Sequence, residues 1–167
     1  MKIAYGNSRM EKKWKNNEIS WDDFCKRVST TQTTTETVDE YRKMSKPQQD
    51  AIKDVGGFVA GHLKAGRRKN GTVLCRSMLT LDMDHGTADV LDELEMFSAH
   101  KMCIYSTHKH TPEAPRLRLI MPLKRDISED EYPAVARKVA SEIGMDMFCG
   151  ACSCSSFSIN TATRPSA

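Results

Sequence analysis

The chain has 167 residues, of which 39% are hydrophobic, and its 25 Lys and Arg against 22 Asp and Glu leave a formal net charge of +3. This length predicts one globular domain with a hydrophobic core of its own, and the chain lacks any apolar stretch near the ~20 residues of a membrane span. Because the residues after Met1 also lack a signal peptide's apolar region, we expect neither a membrane protein nor a secreted one, but a cytoplasmic protein.

The charges are unevenly distributed along the chain. Residues 1–77 hold 16 Lys and Arg against 9 Asp and Glu, whereas residues 78–148 hold 8 against 13. A basic half beside an acidic half suits a protein that handles polyanions, with one part holding phosphates and the other a metal ion. Solvated surface charge is the simpler interpretation.

The six cysteines fit no disulfide framework, because Cys25, Cys75 and Cys103 are isolated within otherwise ordinary segments. In a reducing compartment we expect these three to be small residues of the core.

Residues 1–55 are predicted to form a helical extension. Ser20 opens a capping box, and apolar residues follow it at helical intervals. Thr37 repeats this signal, and Pro47 fits the first turn of a third short helix. The Thr30–Thr35 tract is predicted to be a loop.

Two glycines, Gly56 and Gly57, precede a cluster of basic residues that includes Lys64, Arg67 and Arg68. Glycines followed by basic side chains can bring backbone amides close to phosphate oxygens. A glycine-rich turn before an exposed hairpin explains the same residues equally well.

Apolar and polar residues alternate from Leu79 to His85, which is the period of a half-buried strand. Asp82 and Asp84 would then share one face, with Cα atoms roughly 6.6 Å apart. Two carboxylates at that separation can bind a hard cation or a pair of cations. The simpler interpretation is an Asp-rich strand end that runs into a turn.

The stretch 72–148 has a regular order of elements. The predicted elements are a strand at 74–84, a helix near 88–99, strands at 102–107 and 116–122, and a helix from the Ser128 capping box to Gly144. The order β-α-β-β-α predicts an α+β fold of the ferredoxin/RRM-like split βαβ type, with its final strand missing. In that fold helices cover one face of the sheet and the other face is exposed.

Polar residues near the predicted strand ends complete a candidate site. His108 follows the strand expected to lie near the aspartates, and Arg116 and Arg118 alternate with leucines and so share a face. An imidazole and two guanidiniums near paired carboxylates would hold an anionic substrate whose phosphates also bind the metal. The two arginines could instead pair with acids such as Glu113.

These motifs resemble the first two motifs of archaeo-eukaryotic-type primases, the primase-polymerase superfamily. The motifs are Leu-Asp82-Met-Asp84, Ser106-x-His108 and Arg116-Leu-Arg118. The resemblance is greatest to the primase domain of phages and integrated elements that is associated with virulence-associated protein E. It covers about residues 1–148.

The resemblance implies a primase-polymerase catalytic core at 56–148 that performs template-directed nucleotidyl transfer from NTP or dNTP, with Mg²⁺ or Mn²⁺. It implies that Asp82 and Asp84 bind the metal and that His108 contacts the nucleotide's phosphates. Arg116 and Arg118 would then clamp the triphosphate, and the basic segment from Lys64 onward would hold template. The expected partners are a single-stranded DNA template, the nucleotide and a replicative helicase domain or protein, with no membrane.

Residues 149–167 depart from this family. Its third motif places a further metal-binding Asp on the strand after the last helix, but this tail contains three Cys, five Ser and no acid. Asp146 is the nearby substitute as a third metal ligand. No second ligand pair accompanies the cysteines, so we do not predict zinc.

We expect that this tail was read out of frame or that the gene was cut short, which would leave the chain weak or inactive. Translation of the encoding DNA in its other two frames tests this, and no family-like continuation in either would count against it.

Two other functions fit the same residues. A relaxase-type endonuclease uses a His-x-His metal site and a nucleophilic tyrosine, for which His108, His110 and either Tyr105 or Tyr41 are candidates, although Lys109 stands where an apolar residue is usual. A non-catalytic nucleic-acid-binding module would stack bases on sheet aromatics, for which the strands offer chiefly Tyr105.

Overall fold

The computed structural model describes residues 1–95, 99–144, 148 and 163–166 of the chain. Its helices and strands, in chain order, are β1 (Lys2–Gly6), β2 (Lys15–Glu18), α1 (Trp21–Ser29), β3 (Gln32–Thr37), α2 (Val38–Lys43), α3 (Lys46–Ile52), β4 (Gly57–Val59), β5 (Gly61–Leu63), β6 (Val73–Met83), α4 (Val90–Glu95), β7 (Cys103–Ser106), β8 (Leu117–Ile127), α5 (Tyr132–Ile143) and β9 (Thr163–Ser166). The protein is therefore a mixed α+β protein, built on antiparallel sheets with few helices.

The central sheet has the strand order β5-β6-β8-β7, and each neighbouring pair is antiparallel. Strand β8 lies between β6 and β7, which α4 connects, and the predicted order β-α-β-β-α is the observed one. Strand β5 occupies the sheet edge beside β6. The α+β class is confirmed, whereas the ferredoxin-like form of the sheet stays a prediction. Most residues after α5, where a final strand was expected, lie outside the described part of the chain.

The N-terminal stretch is less helical than predicted. Strands β1, β2 and β4 form an antiparallel sheet in the order β2-β1-β4, and β3 pairs in parallel with β9. The prediction of a loop at Thr30–Thr35 is wrong, because β3 covers Gln32–Thr37. The β-branched threonines of this tract favour an extended backbone.

The predicted helix starts of this stretch are confirmed. Ser20 accepts a hydrogen bond from the amide of Asp23 at the start of α1. Thr37 and Glu40 form a capping box at α2, and Pro47 lies in the first turn of α3. Each cap satisfies amides that a helix start leaves without a partner, so the local sequence was sufficient to predict it.

Both faces of the central sheet are covered. On one face Leu79, Leu81 and Met83 pack with residues of α4 and α5. On the other face Met78 and Ile120 pack in one buried cluster with residues of β1, α1 and β4. The expectation of an exposed sheet face is therefore wrong over this region, because the N-terminal elements cover it.

Two further expectations concern the helices and the thiols. In the described part of the chain, no helix has the length and apolar character that a membrane crossing requires. Cys25, Cys75 and Cys103 are free thiols and are half-buried, and Cys25 and Cys103 pack against the cluster that contains Met78.

Candidate functional site

One row of polar side chains crosses the central sheet. The strand register places Arg118 opposite Asp82 on one side and opposite Tyr105 on the other. Arg118 Nε donates to Asp82 Oδ1 at 2.5 Å, and its Nη1 lies 3.5 Å from the Tyr105 hydroxyl. The Arg118 side chain is only 8% exposed and that of Asp82 is 20% exposed. This ion pair is therefore largely shielded from solvent.

Burial lowers the pKa of Arg118, but the neighbouring Tyr105 and Asp82 outweigh burial, and its net pKa is raised. Burial raises the pKa of Tyr105, which Arg118 partly offsets. Both shifts favour a charged Arg118 beside a neutral Tyr105, and the hydrogen bond from Arg118 Nε orients the Asp82 carboxylate.

A second Asp–Arg pair lies two residues after Asp82 and two residues before Arg118. Asp84 follows β6 directly, Arg116 immediately precedes β8, and Arg116 Nη1 donates to Asp84 Oδ1 at 2.9 Å. Both side chains are 38% exposed. This outer pair is open to solvent, and an anion or a cation can therefore compete for its members more easily than for Asp82 and Arg118.

His108 lies beside the outer pair. It follows the end of β7 and is only 4% exposed, and its ring makes an edge contact with the ring of Tyr41 on α2, with centroids 4.2 Å apart. The loop around it is fixed by the Thr107 amide, which donates to the Arg116 carbonyl, and by the Arg116 amide, which donates to His110 Nδ1.

A cavity of about 190 Å³ lies in front of these residues. Asp84, His108 and Arg116 line it together with Lys53, Thr107 and Lys109. Burial lowers the pKa of Lys109, and the positive charges of Lys46, Lys53 and Arg116 lower it further. The cavity therefore has an excess of positive charge with a single carboxylate in its lining.

A larger cavity of about 340 Å³ adjoins it, and we call this one the α2 cavity. It shares His108, Lys109 and Arg116 with the smaller cavity, and its other lining residues are Val38, Tyr41, Arg42, Gln49, His110 and Thr111. The loop 107–116 thus contributes to both cavities, of which one includes Asp84 and the other includes residues of α2.

Asp82 and Asp84 supply only part of the ligand set of a metal ion, and water and substrate would have to supply the rest. In the described residues no group of three or more His, Cys, Asp or Glu side chains is arranged to hold a metal. Asp82 and Asp84 supply carboxylate oxygens, which hard cations prefer, and Mg²⁺ commonly binds through one or two carboxylates plus water and substrate phosphates. Asp146, the predicted third ligand, lies outside the described residues.

Gly56 and Gly57 lie away from this site. They line a separate cavity of about 70 Å³ with Tyr5 and Arg27. Gly56 has φ +91°, and a Cβ on it would lie 2.7 Å from the Gly6 carbonyl oxygen. The structure thus gives this glycine a packing role between β1 and β4.

The basic segment divides into a packed arginine and exposed side chains. Arg68 lies over the Trp14 ring, 4.6 Å from its centroid, and donates from Nη2 to the Arg9 carbonyl at 2.8 Å. Burial lowers the pKa of Arg68. Lys64 and Arg67 are exposed.

The structure adds two lysines to this basic segment. The Trp14 amide donates to the Gly66 carbonyl at 2.8 Å, so the backbone that follows Lys12 and Lys13 meets the turn that carries Lys64 and Arg67. We call these four residues the basic face. The sequence shows Lys12 and Lys13 as an adjacent pair of positive charges. It does not show that this pair lies next to Gly66.

Sequence reasoning also missed Lys53, and it gave Tyr41 and Lys109 no role in nucleotide binding. The site needs all three, because they line the cavities around His108. No local pattern marks them, since Tyr41 occupies a core position of α2 and Lys53 is one of many lysines.

Among known protein families, the model described as the VapE N-terminal domain matches residues 1–153. Neither the curated proteins nor the solved structures gave a match.

Proposed function

The chain belongs to the VapE N-terminal domain family, which associates it with phages and mobile elements, and from this premise we propose that it is a primase-polymerase-like domain. In this proposal the domain transfers nucleotides from NTP or dNTP to a growing strand on a single-stranded DNA template, with Mg²⁺ or Mn²⁺. The observation that carries the proposal is the pair of Asp–Arg contacts, Asp82 with Arg118 and Asp84 with Arg116, beside His108.

The Asp–Arg contacts suit a substrate that brings both charges at once. A nucleotide bound to a divalent cation offers phosphates to the arginines and the cation to the carboxylates. When the Asp84–Arg116 pair exchanges partners in this way, neither of its charges is left without a counter-charge before or after binding. The exposed pair Asp84–Arg116 exchanges more easily than the buried pair Asp82–Arg118.

The residues then take distinct roles. Asp82 and Asp84 would hold the cation, which supplies activation of the primer 3′-hydroxyl and neutralises charge on the leaving pyrophosphate. Arg116, Lys53 and Lys109 bind phosphate oxygens around the smaller cavity. His108 contacts the same phosphates, and Arg118 positions Asp82. The basic face binds the template through its phosphates.

The test is primer extension with labelled nucleotides and Mn²⁺, in which Asp82→Asn/Asp84→Asn is compared with the native chain. Asparagine keeps an oxygen that accepts from the arginines while the charge is lost, and circular dichroism of the variant checks that the fold is retained. The matched control is Asp89→Asn/Asp92→Asn, because both of these acids are exposed on or near α4. We expect incorporation by the native chain and the control only. Incorporation that survives in the Asp82/Asp84 variant, or no incorporation by the native chain with either metal, contradicts the proposal.

One observation favours the relaxase alternative, since Tyr41, His108 and His110 line one cavity. However, burial raises the pKa of Tyr41, and a tyrosine nucleophile must lose its proton. A covalent adduct between Tyr41 and single-stranded DNA would decide for this alternative. The binding module with stacked bases has less support, because Tyr105 is buried against Arg118.

A further inference from the structure

The α2 cavity has the charge of an anion site. Arg42, Lys109 and Arg116 carry fixed positive charge in its lining, and His108 and His110 add two imidazoles. In the described part of the chain, none of its lining residues is acidic. One of the cations, Arg116, already pairs with Asp84, and the charge of the nearby Asp50 acts on Lys109. Arg42 and Lys109 are the cations of the lining that form no ion pair within the described part of the chain.

Tyr41 gives a second and independent sign of a ligand. Its side chain is only 4% exposed, and its hydroxyl is buried with no hydrogen-bond partner among the described residues. A buried hydroxyl without a partner is costly, because it has lost its water and gained nothing in exchange. A phosphate oxygen in the α2 cavity would accept a hydrogen bond from this hydroxyl. Since burial raises the pKa of Tyr41, the hydroxyl keeps its proton and acts as a donor.

The walls of the cavity are fixed by contacts that do not involve a ligand. The capping box of Thr37 and Glu40 sets the start of α2. Gln49 of α3 donates from Nε2 to the carbonyls of Tyr41 and Met44, which ties the end of α2 to α3. The edge contact of Tyr41 with His108 then joins this helix pair to the loop after β7. The backbones that carry the donors are therefore held in place before any ligand binds, which lowers the entropic cost of binding.

We propose that the α2 cavity binds a phosphate group, with Arg42, Lys109 and the Tyr41 hydroxyl as its donors. The phosphate can come from the triphosphate tail of a nucleotide or from the phosphorylated 5′ end of a nucleic-acid strand. The site shares Lys109 with the phosphate contacts of the proposed nucleotidyl transfer, but it needs neither Asp82 nor Asp84 and no metal ion.

The test is isothermal titration calorimetry of the full chain with inorganic tripolyphosphate in EDTA. Arg42→Gln removes one charge from the cavity, and Tyr41→Phe removes only the hydroxyl. Lys43→Gln is the matched control, because Lys43 is the exposed neighbour of Arg42 on α2 and does not line the cavity. We expect a roughly tenfold weaker affinity for Arg42→Gln and for Tyr41→Phe, as for the loss of a hydrogen bond to a charged group. The control should bind within about twofold of the native chain, as expected for a surface charge outside the site.

Equal affinity in all four proteins, or no binding of tripolyphosphate by the native chain, overturns the proposal. Two further titrations identify the source of the phosphate: ATP against adenosine, and a 5′-phosphorylated oligonucleotide against its 5′-hydroxyl form. The natural source of the phosphate is the ligand that binds the native chain more tightly than its phosphate-free form does. That gain should be absent in Tyr41→Phe. Because EDTA removes the metal, a failed primer extension leaves the outcome of this titration unchanged.

Discussion

Asp82 and Arg118 lie directly opposite each other where β6 pairs with β8, and their side chains join in a largely buried ion pair. Such a pair contributes little net stability as a whole, but removing one member leaves the other charge without its partner. The consequences of this contact can be measured in the unfolding free energy and in substrate binding.

We expect Arg118→Met to lower the free energy of unfolding by about 3 kcal/mol, because the Asp82 carboxylate is then left half-buried beside an apolar side chain. The double variant Arg118→Met/Asp82→Leu should recover most of this loss, since no buried charge remains. Urea denaturation of the single and double variants measures both values. A single variant as stable as the native chain would mean that solvent reaches Asp82 freely.

Asp84→Asn should change phosphate binding and catalysis in opposite directions. The substitution frees Arg116 from its ionic partner, so in EDTA the affinity for tripolyphosphate should rise by about threefold, the range of an exposed ion pair. Incorporation with Mn²⁺ should fall, because one carboxylate of the proposed cation site is gone. Calorimetry and primer extension measure the two effects, and Asp89→Asn is the control for both. A parallel loss of binding and incorporation would argue that Asp84 contacts the substrate in another way.

Template binding should depend on the basic face and on salt. Each lysine that contacts a phosphate of single-stranded DNA contributes about 0.7 to the slope of log K against log salt concentration. Lys12→Gln/Lys13→Gln should therefore reduce the magnitude of that slope by about 1.4. Fluorescence anisotropy of a labelled oligonucleotide at several salt concentrations measures this, with Lys26→Gln/Lys138→Gln as a charge-matched control. An unchanged slope would place the template elsewhere.

Gly56→Ala should destabilise the protein more than Gly71→Ala. Both glycines have positive φ, +91° and +73°, so alanine is strained at either position. Only at Gly56 does the new Cβ also meet the Gly6 carbonyl oxygen, whereas the space around Gly71 is open. We expect the difference in unfolding free energy to be about 1–3 kcal/mol, the range of overpacking. Equal thermal stability of the two variants would show that β1 moves away from the new Cβ at residue 56 at no cost in free energy.

The carboxyl of Glu131 should titrate well below its ordinary pKa of 4.5. The hydrogen bond from Arg125, followed by that from the Ser128 amide, lowers this pKa to about 2. The stability that these contacts contribute is therefore fully present above about pH 4.5, and it is lost as the pH falls through about 2. NMR titration of the side-chain carboxyl measures the pKa.

Arg125→Gln should raise the pKa of Glu131 towards 4.5. Arg137→Gln, at an exposed position of α5, the helix that Glu131 precedes, should leave that pKa unchanged. A pKa near 4.5 in the native chain would mean that the Arg125–Glu131 contact does not persist in solution.

The elements that sequence patterns predicted are those with local signals. Ser20, Thr37 and Ser128 mark helix starts through caps that lie within four residues, and the alternation around Asp82 marks β6. Strand β1 has no such signal, because it is held between β2 and β4, and β4 lies more than fifty residues further along the chain. Patterns of period two or 3.6 do not encode a pairing of that range.

The candidate site was predictable in its members and not in their contacts. Alternation placed Arg116 and Arg118 on one face near the aspartates. Whether they bind substrate or acids depends on the register of β6 against β8, which puts Arg118 opposite Asp82. The contact of Tyr41 with His108 joins segments 67 residues apart and required the three-dimensional structure.

The buried cluster on the Met78 face has a practical consequence for anyone who expresses this protein in pieces. A fragment that begins at residue 56 would lose Ile3, Phe24 and Val28, and the apolar surface of Met78 and Ile120 would then meet water. It would also lack Tyr41 and with it one wall of the larger cavity. Such a fragment would aggregate, and a lack of activity in it would reveal nothing about the chemistry of the intact polypeptide.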